Sequence, residues 1–150
     1  MNGKVPTVEI LGVRVHNIST AETLTQLEAM ALSGSPHHVM TVNPEFIMLA
    51  QENEEFRSVL SRVSLALPDG IGVLWASRML GSHLQERVTG VDTVKGFSAI
   101  AANRGIRLFL LGGAPGVAES VASRLKHEYP NLMIAGTYAG SPSLAEEDEI

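Results

Sequence analysis

The sequence predicts an α/β protein: a Rossmann-like, doubly wound, mostly parallel sheet with helices on both faces. Three observations predict it. Short apolar runs alternate with segments of helical spacing along the chain, the pattern of repeated strand–helix–strand units. The run Ile106–Leu111 is almost continuously apolar, as expected of a strand covered on both faces. Three strand-to-helix turns, at Thr41-Val42-Asn43, Asp69-Gly70 and Gly112-Gly113, carry small polar residues, an acid or glycines. In a parallel sheet such turns share the carboxyl edge, where open α/β proteins bind ligands. No internal repeat, low-complexity tract or linker divides residues 1–150, so they read as a single domain.

The elements follow in order. Thr7–Ile10 and Val13–His16 read as short strands, with Gly12 turning between them and Val13 and Val15 alternating against Arg14 and His16. Ser19-Thr20-Ala21-Glu22 is a capping box that opens a helix carrying Leu24, Leu27 and Ala31, closed by Gly34. His37–Val42 is the next strand. Asn43 then caps a helix whose first residue is Pro44, with Phe46, Ile47, Leu49 and Ala50 inward and an end near Asn53. A shorter helix, Glu54–Ser61, leads to the buried strand Leu65-Ala66-Leu67. Pro68 ends its ladder because proline has no N–H, and Gly70 and Gly72 permit a sharp turn and close approach. Ile71–Leu80 reads as a helix and Gly81–Thr89 as a loop. Thr89-Gly90-Val91-Asp92 starts another helix, reaching about Asn103. After the strand Ile106–Leu111 comes Gly112-Gly113-Ala114-Pro115-Gly116, then a helix with Val117, Val121 and Leu125 spaced four apart and Pro130 past its end. Leu132–Ala135 is a strand and Gly136–Ser143 a loop. Ser143-Leu144-Ala145-Glu146 is a third capping box, followed by an acidic run that suits a helix N-terminus. A helix begun so near Ile150 suggests that the chain is the N-terminal part of a longer protein.

Composition bounds the function. The chain has 150 residues, 45% apolar and 18% charged, enough for a buried core. Its net charge of -5 offers no basic surface for nucleic acid. It has no cysteine, so thiolate chemistry and disulfides are excluded, which suits the cytoplasm. Met1–Pro6 lacks the apolar core of a signal peptide, and no apolar run is long enough to span a bilayer.

The three turns supply the candidate chemistry. Asp69 has two readings: an N-cap, or a general base taking a proton from an attacking hydroxyl. Thr41 and Asn43 either cap the backbone or hydrogen-bond a polar substrate such as a sugar. Gly112-Gly113 is either a tight packing turn or a phosphate cradle whose exposed N–H groups and helix dipole favour an anion. It is not a full G-x-G-x-x-G, and no acid closes the next strand to hold a ribose, which argues against NAD. Arg87 is either a solvated loop charge or a fork for a leaving phosphate. The five histidines have no metal-ligand spacing, and there is no D-x-D cluster.

Four motifs stand in order: Thr41-x-Asn43-x-Glu45, Pro68-Asp69-Gly70-x-Gly72, Glu86-Arg87-Val88-x-Gly90-x-Asp92 and Leu110-Leu111-Gly112-Gly113. Together they resemble the bacterial TagA/WecG/CpsF family of glycosyltransferases. The resemblance implies transfer of an N-acetylmannosamine-type sugar, or its uronic acid, from a UDP donor to undecaprenyl-diphosphate-linked N-acetylglucosamine. Teichoic acid linkage units, enterobacterial common antigen and capsule are the products it implies. It further implies an inverting, metal-independent reaction with no cofactor and Asp69 as base. Thr41, Asn43, Arg87 and Asp92 would bind substrate, and Gly112, Gly113 and Ala114 would hold the nucleotide. The family's longer members carry a C-terminal appendage with basic residues. The resemblance therefore implies a cytoplasmic protein that touches the inner face of the membrane through a segment beyond this chain, and that self-associates. The competing reading is a non-catalytic nucleotide-binding or regulatory α/β module, suggested by the Gly112-Gly113 turn. A third is a folded core without a competent site.

Overall fold

The computed structural model describes residues 5–140. The chain divides at Val94/Lys95 into two compact units, and each is described by itself.

The first unit opens with an antiparallel hairpin of β1 (Thr7–Ile10) and β2 (Val13–His16). Leu11 and Gly12 connect them with φ of 49° and 77°. Two positive φ values in a two-residue loop match the right-handed strand twist. Helix α1 (Thr20–Leu32) starts with the full capping box: Ser19 Oγ accepts from the Glu22 N–H, and the Glu22 carboxylate accepts from the Ser19 N–H. Those bonds hold the Glu22 carboxyl below its usual range. Its C-cap is Ser33, and Gly34 follows with a φ of 73°, the left-handed glycine expected to close the helix.

Strand β3 (Val39–Val42) begins two residues later than expected, leaving His37 and His38 outside it. It pairs in parallel with β4 (Leu65–Pro68). Between them lie α2 (Pro44–Glu52) and α3 (Glu54–Arg62). On α2, Ile47 and Ala50 are buried as expected, but Leu49 is exposed. Strand β4 is buried on both faces. Leu65 and Leu67 pack with Ile18 and Val88, whereas Ala66 joins Val13, Val15, Val42, Ile47 and Val73. Helix α4 (Ile71–Met79) buries Val73 and Ser77 and turns Ile71, Trp75 and Met79 to solvent.

The second unit holds most of α5 (Gly90–Arg104), then β5 (Arg107–Leu111), α6 (Val117–Glu128) and β6 (Met133–Tyr138), with β5 and β6 parallel. Strand β5 corrects an expectation. It is not covered on both faces; exposure alternates, with Phe109 50% and Leu111 44% exposed while Leu108 and Leu110 pack onto the core. Helix α6 is turned by about one residue from its expected face. Ala118, Ala122 and Leu125 are inward, and Val117 and Val121 are exposed. Small alanines let the helix approach the sheet closely, which the larger valines would prevent. Strand β6 runs on through Gly136–Tyr138, a stretch expected to be loop. The ladder skips Ala135, a bulge that sets Gly136 opposite Phe109. A Cβ on Gly136 would lie 2.7 Å from the Phe109 ring, so only glycine leaves room. The Ser143–Glu146 capping box and the acidic run lie outside the described residues.

The fold is therefore α/β with two parallel pairs, as expected, but the described ladders are three two-stranded sheets rather than one doubly wound sheet. Part of the reason is local. Ala66 N–H, which a neighbouring strand would otherwise engage, is donated to His16 Nδ1 at 2.9 Å. A side chain thus takes a ladder position beside β4.

Candidate active site

In the first unit, the carboxyl edge of the β3–β4 pair gathers several predicted residues. The register places Thr41 opposite Leu67 and Val42 opposite Pro68. One step on, the Asp69 N–H donates to Val42 O at 2.9 Å, so the ladder carries Asp69 to the strand end. Pro68 cannot donate, but its carbonyl accepts from the Val88 N–H at 2.8 Å. That bond, with the full burial of Val88, brings the Glu86–Gly90 segment alongside β4.

Asp69 is half-buried and is not the N-cap of α4, which is Gly70. Its Oδ2 instead accepts the Gly90 N–H at the start of α5, at 3.3 Å. The donor is a helix N-terminal amide, a position where the dipole favours a carboxylate. Gly70 makes this placement possible. Its φ of 126° is open to glycine, and an added Cβ would lie 3.2 Å from Pro44 Cδ. At Gly72 the Cβ would fall 2.8 Å from Pro44 Cγ, so the first turns of α2 and α4 are packed nearly in contact.

Asn43 caps α2: its Oδ1 accepts the Phe46 N–H at 2.8 Å. The bond fixes the amide, and its Nδ2 has no partner among the described residues. Thr41 lies against Gly90, whose added Cβ would be 3.5 Å from Thr41 Cγ2; the Thr41 hydroxyl is likewise unpartnered among the described residues. A carboxylate with one oxygen uncommitted, an amide donor and a hydroxyl thus surround one strand edge. That set can orient a polyol and take its proton.

The other residues of the third motif separate into different jobs. Asp92 is exposed and bonds the Thr89 hydroxyl twice, its N–H donating to Thr89 Oγ1 at 3.1 Å and its Oδ2 accepting from it at 2.6 Å. Arg87 is exposed, with no hydrogen bond or ion pair among the described residues. Glu86 plays a part that sequence reasoning missed. Its Oε1 accepts from both the N–H and the hydroxyl of Thr20, tying the loop to the start of α1. Gln85 adds bonds to Asn17 and Glu22. These partners lie more than sixty residues apart in sequence, so no local pattern announces them.

Gly112, Gly113 and Ala114 belong to the second unit. Gly112 and Gly113 have φ of 102° and 87°, and the Gly112 N–H donates to Tyr138 O at 2.8 Å. Helix α6 has Gly116 as N-cap with no side-chain cap bond. Its Val117 N–H donates to Ala114 O at 3.0 Å, so among its first amides those of Ala118 and Glu119 keep their capacity for an anion. Among the described residues no three His, Cys, Asp or Glu side chains cluster as a metal site. Nor is any described helix long and apolar enough to cross a membrane.

Comparison with known proteins adds a family. Residues 8–150 match the model of the glycosyl transferase WecG/TagA/CpsF family. The chain is similar to the N-acetylglucosaminyldiphosphoundecaprenol N-acetyl-beta-D-mannosaminyltransferase of Bacillus subtilis (strain 168), 40% identical over 98 residues. The enzyme of the same name from Bacillus spizizenii is 36% identical over 98 residues. Each match covers 65% of this chain and 38% of the relative, so the chain spans well under half the length of the relatives it matches.

Proposed function

Because this chain belongs to the WecG/TagA/CpsF family of glycosyl transferases, we propose that it transfers an N-acetylmannosamine-type sugar from a UDP donor to undecaprenyl-diphosphate-linked N-acetylglucosamine. The observation that carries the reading is the edge of β3–β4. There Asp69 keeps one carboxylate oxygen uncommitted beside the unpartnered amide of Asn43 and hydroxyl of Thr41. The names of the two Bacillus relatives supply the sugar and the lipid-linked acceptor.

In this reading Asp69 accepts the proton of the acceptor hydroxyl as its oxygen attacks the anomeric carbon. The bond from that carbon to the UDP phosphate oxygen breaks, and the departing diphosphate carries the electron pair. A single displacement inverts the anomeric centre and needs one base. Asn43 Nδ2 and the Thr41 hydroxyl hold a sugar. Arg87 is uncommitted to any carboxylate among the described residues and is the candidate partner of the leaving diphosphate. In the second unit, the Gly112-Gly113-Ala114 turn is the candidate nucleotide contact. Asp92 holds the start of α5, and with it the amide that steadies Asp69.

The protein works at the inner face of the cytoplasmic membrane, where a polyprenyl acceptor is presented, and reaches it through a further basic segment. Self-association would cover the outward stripe of Ile71, Trp75 and Met79, which is apolar beyond what scattered surface residues require. Sedimentation then shows an oligomer for the parent chain and a monomer for Trp75→Glu; a monomeric parent removes this part.

The alternative is a nucleotide-binding module without catalysis, favoured by the uncapped N-terminus of α6. Labelled sugar supplied as its UDP derivative, with a short-chain analogue of the lipid acceptor, separates the two. Label moving into the lipid supports the transferase. Calorimetric binding of UDP without label transfer supports the module, and tight NAD binding overturns the family-based reading.

A further inference from the structure

At the other end of β3 and β4 lies a cavity of about 490 Å³, lined by Arg14, His16, Gln26, Ser33, His37 and Ser64 with apolar walls that include Met30 and Leu65. It belongs wholly to the first unit. Ser64 and His37 precede the strand starts, whereas Asp69 follows a strand end. Four residues at the strand rise separate Leu65 from Asp69, roughly 13 Å. This cavity is therefore not the sugar site.

Its polar lining is cationic or neutral; among the described residues no aspartate or glutamate lines it. Arg14 and His16 alternate with the inward Val13 and Val15, so both point to the face that α1 covers. One Arg14 terminal nitrogen is spent on the end of α3, donating to Ser61 O at 3.2 Å and Val63 O at 3.3 Å. The same bonds pin the guanidinium; its Nε is sealed in the interior, and its Nη1 has no partner among the described residues. His16 is 7% exposed. Its Nδ1 accepts the Ala66 N–H, so the neutral ring carries its proton on Nε2, a donor with no partner among the described residues. His37 bridges Ser33 Oγ at 2.9 Å and Ser64 Oγ at 3.3 Å, holding both hydroxyls at the wall.

The cavity that Arg14 and His16 line has a volume in the range of small-molecule sites. We propose that this cavity is a second binding site, for a small molecule bearing an oxyanion whose oxygens accept from the uncommitted Nη1 of the Arg14 guanidinium and from His16 Nε2–H. Carboxylate and phosphate share that chemistry, since the planar guanidinium matches both. The apolar wall takes the remainder of the molecule.

The test is nitrogen-detected NMR of the whole chain, following Arg14 Nε–H, the His16 ring and the Gly90 amide during separate titrations with inorganic phosphate and with citrate. The expected result is saturable movement of the Arg14 and His16 signals with Gly90 unmoved. The better-bound anion tells phosphate from carboxylate. Ala29→Phe, which places a ring in the cavity from the exposed side of α1, takes the ligand's space and weakens binding about tenfold or more. Arg14→Lys keeps the charge but lacks the planar fork, and weakens binding similarly. Signals that do not saturate with either anion mean a water-filled space and overturn the proposal. So does binding that survives Ala29→Phe, or movement centred on Gly90.

Discussion

Gly70→Ala is the substitution whose consequence the geometry fixes most tightly. Gly70 has φ 126° and ψ 140°, outside the regions that L-residues adopt. Forcing alanine there costs about 1–3 kcal/mol of backbone strain. The new Cβ would also lie 3.2 Å from Pro44 Cδ. That ring is rigid and is the first residue of α2, so it yields poorly, adding roughly 1 kcal/mol of overpacking. The sum is about 2–4 kcal/mol, a large share of the roughly 5–15 kcal/mol that a domain has. Gly12→Ala is the control. Gly12 also has positive φ, 77°, but an added Cβ meets nothing within 4 Å. Its cost is therefore the left-handed backbone term alone, about 1 kcal/mol. Urea denaturation of both variants checks the difference. If Gly70→Ala loses no more stability than Gly12→Ala, the turn does not position Asp69 in the way described.

Two further outcomes follow. Asn43→Asp keeps an oxygen to accept the Phe46 N–H, so stability holds within about 0.5 kcal/mol, whereas Asn43→Ala loses about 1 kcal/mol with the cap. Both lack the Nδ2 donor, so both raise KM for a sugar substrate about fivefold or more; an unchanged KM in Asn43→Asp removes Asn43 from the site. His16 gives an acid sensitivity. Burial first, and then the Arg14 charge, hold its ring below the usual histidine range. The unfolded chain therefore takes up the proton first. The stabilisation is complete above about pH 6.5 and is lost as pH falls through the lowered native value. His16→Asn offers Ala66 an oxygen that does not titrate, so its urea midpoint falls less between pH 7 and 5; an identical fall in both proteins refutes the assignment.

The sequence carried the caps and turns well because their chemistry is local. Ser19 with Glu22, Asn43 with Pro44, and Thr89 with Asp92 each make their bonds within a few residues, and each is present. The Leu65–Pro68 strand was legible for the same reason: three apolar residues and a proline need no distant partner to be read. Which face an element buries was harder. Val117 and Val121 look like a core stripe, yet the alanines beside them let α6 sit closer to its sheet. Phe109 is apolar and exposed because its ring lies over Gly136, a neighbour set by a bulge in another strand. Asp69, Thr41 and Asn43 could be named from their turns. That Gly90 holds Asp69, and that Glu86 holds Thr20, depends on a loop returning across the molecule.

The central claim is that Asp69 takes the acceptor's proton, and the rate of sugar transfer by Asp69→Asn tests it most directly. The amide oxygen of Asn can still accept the Gly90 N–H, so the fold and Tm should hold while kcat falls about 10²–10⁴-fold, the usual contribution of a general base. A folded Asp69→Asn protein that transfers sugar within about threefold of the parent rate would contradict it.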